Sequence, residues 1–342
     1  MAGALSPADF RKARLLQRLK LPPLARTALI RVGSGFVTLF LVSLIIFAAI
    51  AVLPGDFAKV ALGRAATPET VANFQKSIGL DRPLPERYAK WIGKTLTGDL
   101  GMSFSSGSGT PRTVVSIVGP RLKNTLFLAA ITAICCVPLA LALGMIAAIR
   151  RNSWVDRLLN TVTLVGISFP EFFVAYVLML LFAVKLPIFY SLARITPNMT
   201  ASEIALRLAL PIATLSLGII AHMMRMTRAA IINLLSAPYV EMAKLKGVTT
   251  RDIVLRHALP NAWAPIAAVV AFNLAYLIVG VVVVEVVFVY PGIGQAMVDA
   301  VRSRDIPVVQ ACALIFATAY VLLNLLADIV AIATNPRLAH PR

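Results

Sequence analysis

YVEMAKLKGVTTRDIVLRHALP, residues 239–260, is a polar, helix-forming segment inside a chain that otherwise reads as lipid-soluble. Ser236 followed by Pro238 suits a helix start, because proline is tolerated in the first turn, where its missing N–H has no partner. Gly247 suits the left-handed residue that ends a helix, and Thr249 or Thr250 can cap a second helix over Arg251 to Ala258. The segment is therefore expected to form a helix, a tight glycine turn and a helix, lying along the membrane face. Tyr239, Val240, Ala243 and Val248 offer apolar contact, and Glu241, Lys244 and Lys246 offer charge. A membrane protein retains such a segment when something outside the bilayer uses it.

Outward from that segment the composition is that of a polytopic membrane protein. Of 342 residues, 59% are hydrophobic and 14% charged, with a mean hydropathy of +0.83, well beyond the ~45–50% apolar share of soluble domains. The net charge of +18 does not point to nucleic acid, which requires basic residues gathered on one folded face. Here they lie between apolar runs, the pattern that orients helices in a bilayer. Cys135, Cys136 and Cys312 sit inside apolar runs and read as packing residues. His222, His257 and His340 are isolated, so no metal site is expected.

Six runs can cross a hydrocarbon core, which takes about 20 residues. Val32 to Leu53 and Asn124 to Ile149 are uncharged; Leu158 to Val184 contains Glu171, Leu208 to Met224 contains His222, Ala258 to Val284 is clean, and Ile306 to Thr334 contains Asp328. The fold expected is an all-α polytopic membrane protein with spans at 32–53, 120–149, 158–184, 206–226, 261–287 and 307–333. A segment 1–31 precedes them, a long loop 54–119 follows the first span, residues 236–260 join the fourth and fifth, and 334–342 form a tail. The loop is expected to carry short helices near Pro68 to Ile78 and Pro85 to Leu96. Period-2 alternation is absent, against a barrel. The first run, about 22 residues, exceeds a signal-peptide core and lacks a small-residue cleavage site.

Arg11, Lys12, Arg14, Arg18, Lys20, Arg26 and Arg31, then Arg150, Arg151 and Arg157, then Arg225, Arg228, Lys244, Lys246, Arg251 and Arg256 fall on one side. The positive-inside rule puts that side, both termini and the 239–260 segment in the cytoplasm. The long first loop then faces outward.

The segment also resembles a known family. Glu241, Ala243, Gly247 and Leu259-Pro260 have the order and spacing of the EAA loop, the ATPase-docking signature of permease subunits in binding-protein-dependent ABC importers, with Met242 in place of its middle alanine and His257 where isoleucine is common. The wider chain is similar to the oligopeptide and dipeptide permease branch. Leu53-Pro54-Gly55-Asp56, Gly98-Asp99-Leu100-Gly101 and Arg121 to Leu126 match its N-terminal half. Val284 to Phe288, Tyr290-Pro291-Gly292-Ile293-Gly294, Arg304 to Gln310 and Asn324 to Asp328 match its C-terminal signatures in order.

The resemblance implies a MetI-like ABC importer permease core over 119–336, with the first span and external loop in front. It implies a second, similar permease subunit, two ATP-binding subunits that hold the ATP and Mg, and an extracytoplasmic solute-binding protein, in a bacterial cytoplasmic membrane. Tyr239, Glu241, Ala243, Lys244, Gly247, Leu259 and Pro260 would couple to the ATPase. Pro170, Glu171 and Asn273 are candidates for the translocation path, although Glu171 fits structural pairing equally well. Glu285 and Asp328, nearer span ends, favour structural hydrogen bonding. Asp99, Pro291, Gly292 and Gly294 are expected at the docking and gating face. The chain contains no G-x-x-x-x-G-K-[ST] loop; at Gly93-Lys94-Thr95, Tyr88 occupies the first glycine's place. It is thus expected to be no enzyme and to bind no cofactor. Peptides are the solute class favoured; nickel chelates, glutathione and sugars are alternatives within the same architecture. An ion-coupled secondary transporter is disfavoured by the lack of repeated halves.

Overall fold

The computed structural model describes residues 23–52, 66–77, 79, 81–105, 112–196, 198–249, 252–253 and 259–333. Leu53-Pro54-Gly55-Asp56, most of the expected second helix at 251–258, the start of the N-terminal segment and the tail 334–342 lie outside the described residues.

Among the described residues the secondary structure is helical, apart from one isolated bridge between Met102 and Thr113. The helices are α1 (Pro23–Val52), α2 (Pro68–Ser77), α3 (Leu84–Leu96), α4 (Val114–Ile149), α5 (Trp154–Ser168), α6 (Glu171–Met179), α7 (Ala201–Leu235), α8 (Pro238–Leu245), α9 (Leu259–Val287), α10 (Ile293–Arg302) and α11 (Ile306–Ala333). Five are long and apolar enough to cross a membrane by themselves, and α5 with α6 makes a sixth span if the bent pair is counted as one.

The third expected span, 158–184, is corrected in form: it is broken at Phe169-Pro170, and its halves meet at 98°. Ring closure at Pro170 removes an N–H from the helical ladder and pushes Phe169 into extended backbone, φ −102°, ψ 139°. After α6 the chain winds into a single π-helical stretch, Leu180–Lys185. The second and fourth spans are longer than expected. α4 has 36 residues and α7 has 35, each about 50 Å of helix at 1.5 Å per residue, so both project beyond the hydrocarbon. Local chemistry explains where they begin: Thr113 accepts a hydrogen bond from Ser116 N–H, and Thr200 and Glu203 form a reciprocal capping box.

α4, α6, α7 and α9 enclose the main core of Leu128, Cys136, Ala140, Ala175, Leu215, Met223, Val281 and Phe288. The α4–α7 contact is close because Gly144 lies directly on the other helix. A β-carbon there would come within 2.8 Å of the Met224 carbonyl oxygen and of Thr227 Cβ. α1 lies outside this core against α11, where Arg31 meets Asp328 at 3.0 Å, and its outer residues such as Phe36 and Ile45 are exposed. The expected loop helices are present as α2 and α3. α3 returns to α1 through a 2.8 Å hydrogen bond between Tyr88 and Ser43 and the rings of Phe47, Tyr88 and Trp91. α10, not foreseen from the sequence, lays Ile293, Ala296 and Ala300 over a second core with Val114, Val118, Val308 and Cys312.

Candidate functional site

The segment 239–260 starts as expected. α8 runs from Pro238 to Leu245, with Val240 and Glu241 N–H donating to the Ala237 carbonyl. Gly247 takes φ +78°, and Val248 N–H reaches back 3.2 Å to the Ala243 carbonyl. This six-to-one bond belongs to the Schellman ending, and a residue with a β-carbon is strained there. Thr250 lies outside the described residues; Thr249 acts as a cap, its Oγ1 accepting from Asp252 N–H at 3.2 Å and donating to the Asp252 carboxylate at 2.7 Å.

The apolar residues of α8 divide between two faces in a way their types alone did not reveal. Val240 is fully buried, as is Ile253 beyond the turn. Tyr239, Met242 and Leu245, spaced by three, are 43%, 56% and 83% exposed. Glu241, Lys246 and Gly247 are exposed beside them, and Ala243 is half-buried. Val240 is thus the anchor, which corrects its expected place among the offered contacts, and Met242 and Leu245 carry the free apolar surface. Lys244, Leu259 and Pro260 lie on the helices, at their expected positions in the chain.

The break at Pro170 opens a cavity of about 340 Å³ lined by Gly166 to Glu171, Val174, Thr214, Leu217, Gly218, His222 and Tyr276. Glu171 opens α6, and its carboxylate lies between two glycines of neighbouring helices. A β-carbon at Gly280 would come within 3.0 Å of Oε1, and one at Gly218 within 3.8 Å. His222 and Tyr276 face each other with ring centroids 5.8 Å apart. Asn273 is not brought to this cavity: it is 2% exposed, and its amide donates to the Val269 carbonyl at 2.8 Å. It is a buried packing residue, correcting its expected place on a path. Its polar type inside a span was the whole of the signal, and its amide N–H finds a backbone acceptor one turn earlier.

Glu285 is a structural knot, as its place near a span end implied. It is fully buried; Oε1 accepts from Thr125 Oγ1 at 2.6 Å, and Oε2 accepts from the backbone N–H of Gly294 at 2.7 Å. Ile293 N–H donates to Thr125 Oγ1 at 2.8 Å. Asn124 binds the Pro291 carbonyl through Nδ2 and receives Tyr290 Oη on its own carbonyl, both at 2.8 Å. Gly292 and Gly294 are buried in this knot, and a β-carbon at 294 would come within 2.7 Å of Val282 Cα. Their expected place on a docking face is therefore corrected: they allow the turn between α9 and α10 to close onto a carboxylate. Pro291 supplies that turn's acceptor.

Asp99 is exposed and local. Its Oδ1 accepts from Gly101 N–H at 2.9 Å and its Oδ2 meets Lys94 Nζ at 3.3 Å. The Gly101 N–H, and after it Lys94, hold this carboxyl below its usual range. The loop then continues to Asp305, whose carboxylate accepts from Ser103 Oγ, Phe104 N–H and Ser105 Oγ. Sequence reasoning also missed the buried Asp156, gripped by Arg228 through two 2.7 Å bonds that tie the start of α5 to α7. The Ser153-x-x-Asp156 spacing was its one local signal.

Comparison with known proteins accords with this architecture. Residues 140–340 match the model for the inner membrane component of binding-protein-dependent transport systems, and residues 24–118 match that for the N-terminal part of such membrane components. The chain is 35% identical over 310 residues to the probable peptide ABC transporter permease protein y4tP of Sinorhizobium fredii, covering 91% of this chain and 98% of that one. It is 36% identical over 303 residues to the glutathione transport system permease protein GsiC of Escherichia coli O6:H1, covering 89% and 95%. The GsiC of Shigella flexneri serotype 5b is 35% identical over the same length. The chain therefore belongs to the family of inner-membrane permease components of binding-protein-dependent ABC importers.

Proposed function

We propose that this permease imports peptides, driven by ATP hydrolysed on separate subunits that it engages through α8 and the Gly247 turn. A peptide permease and a glutathione permease are among its relatives, and glutathione is itself a small peptide-like solute, so a peptidic cargo accommodates both. The observation that carries the coupling reading is the division of α8 into a buried anchor, Val240, and an exposed row, Tyr239, Met242 and Leu245. A short helix fixed from beneath and apolar on top suits insertion into a cleft on another protein. Glu241 and Lys246 at its rim supply register by charge.

The assembly proposed comprises a second, similar permease, two ATP-binding subunits that hold ATP and Mg, and a solute-binding protein. Both termini and α8 face the cytoplasm, following the lysine and arginine asymmetry. Phe272, Tyr276, Val279 and Val283 form an exposed apolar row on α9 at helical spacing, next to the Glu171 cavity. That row is the proposed contact with the second permease, and Pro170 and Glu171 then border the path between the halves. The turn at Asp99 and the loop helices α2 and α3 are the proposed docking face for the binding protein.

Affinity purification of the tagged permease from cells expressing its neighbouring genes should recover two ATP-binding subunits. Glu241→Lys should release them while the permease remains in the membrane. Full recovery of both subunits by that variant would sink the coupling assignment.

A further inference from the structure

We infer that the Glu171 carboxylate, in the cavity opened by the broken span, is the binding site for an alkylammonium group of the transported solute. This rests on reading the cavity as one side of the translocation path. It deepens that reading by assigning the chemistry of one contact.

Among the described residues, the other acidic side chains set into the bundle have a use inside the protein. Glu285 is filled by Thr125 and the Gly294 N–H, Asp156 by Arg228, Asp305 by the Ser103 to Ser105 loop, and Asp328 meets Arg31. Glu171 differs: it has no hydrogen-bond or ion-pair partner among the described residues, and it lines a cavity. Charge within a membrane span is costly and is retained where it faces a cavity or a partner.

The surroundings are built for this group. Gly218 and Gly280 leave their helices bare where the carboxylate lies, so it can sit against both without steric cost. The lining offers no lysine or arginine that would quench it. Tyr276 supplies an aromatic ring in the same cavity lining, and a π-face together with a carboxylate suits an ammonium ion. A cavity of about 340 Å³ is at the lower end of sites that hold small organic molecules. It is large enough for the amino end of a solute.

Two measurements test this. The first uses the complete transporter with its binding protein in proteoliposomes, with Ala-Ala-Ala as probe, since its α-ammonium is its sole cationic group. Glu171→Gln, nearly isosteric, is expected to lower uptake at least ten-fold while binding-protein-stimulated ATP hydrolysis stays within two-fold. Glu171→Asp should retain more uptake than Glu171→Gln. Equal loss of uptake and hydrolysis would assign Glu171 a structural role and overturn the inference, as would unchanged uptake.

The second measurement needs no transport. Gly218→Cys in a Cys135→Ser background places a thiol beside the carboxylate, where a β-carbon makes only ordinary contact at 3.8 Å. Reaction with 2-aminoethyl methanethiosulfonate is compared with that of neutral methyl methanethiosulfonate. Adding Glu171→Gln should cut the cation-to-neutral rate ratio about ten-fold, and an unchanged ratio overturns the inference. If the unmodified transporter fails to take up Ala-Ala-Ala, the peptide reading falls, and the thiol ratio still decides whether the cavity selects ammonium.

Discussion

Glu285 and Gly292 occupy the same corner of the structure: a β-carbon on residue 292 would overlap the Glu285 carboxyl group. The carboxylate is anchored by Thr125 from α4 and by the Gly294 N–H at the start of α10. One side chain thus ties three elements together, and the glycine is what lets the chain pass over it. Gly292→Ala should consequently cost ~3 kcal/mol or more, at the upper end of overpacking penalties because the Glu285 carboxyl it meets is fixed by hydrogen bonds. Thermal unfolding of the purified protein in detergent measures this, and an unshifted midpoint would contradict the packing argument.

The Arg228–Asp156 pair predicts a contrasting result. Asp156 is almost fully buried and Arg228 about one quarter exposed, so removing the guanidinium leaves a carboxylate with little water. Arg228→Ala should cost ~2–3 kcal/mol, below the ~3–5 kcal/mol of fully buried pairs because the arginine is partly solvated. Asp156→Asn with Arg228→Ala should cost less than the sum of the single changes. Additive losses in a double-mutant cycle would show that the two groups are not coupled.

The spans were legible because lipid imposes a composition rule on any helix that crosses it, and six uncharged or nearly uncharged runs satisfy it. Caps were legible as local chemistry at Gly247 and Thr249. The broken third span was visible only as Pro170 next to Glu171; the 98° bend depends on what packs around it. The Glu285 knot joins residues 160 positions apart at its Thr125 contact, so no local pattern announces it. Asn273 and Val240 were misplaced for one reason: residue type says that a side chain can face water or a partner, whereas helix rotation decides whether it does.

Asp99 gives the pH dependence. Its carboxyl is held below the usual range, first by the Gly101 N–H and then by Lys94. A depressed carboxyl stabilises the folded turn above the ordinary carboxylate range of about 4, and that contribution is lost as pH falls through the lower folded value. The turn should therefore stay intact at neutral pH and loosen only in acid. Hydrogen-exchange protection of the Gly101 amide, corrected for intrinsic rate, should be independent of pH from about 6 to 8 in the unmodified protein and reduced throughout in Asp99→Ala. Equal protection in both proteins would remove Asp99 from the turn.

The proposed coupling helix gives the sharpest contrast, because adjacent apolar positions on α8 should behave oppositely. Met242 and Leu245 are exposed and touch little within the chain, so Met242→Asp with Leu245→Asp should change thermal stability by less than about 0.5 kcal/mol, as surface substitutions do. The same double change puts two carboxylates on the proposed contact surface, and co-purification of the ATP-binding subunits should fall at least ten-fold. Val240→Asp buries an unpaired carboxylate and should destabilise the protein itself by several kcal/mol. Gly247→Ala lies between: its left-handed φ of +78° costs a β-carbon residue ~1–2 kcal/mol, enough to loosen the turn without unfolding the bundle. Pull-down yield and unfolding temperature, measured on one set of membranes, separate these outcomes. Loss of stability in the Met242→Asp, Leu245→Asp protein with the ATP-binding subunits still retained would reverse the assignment of inner and outer faces.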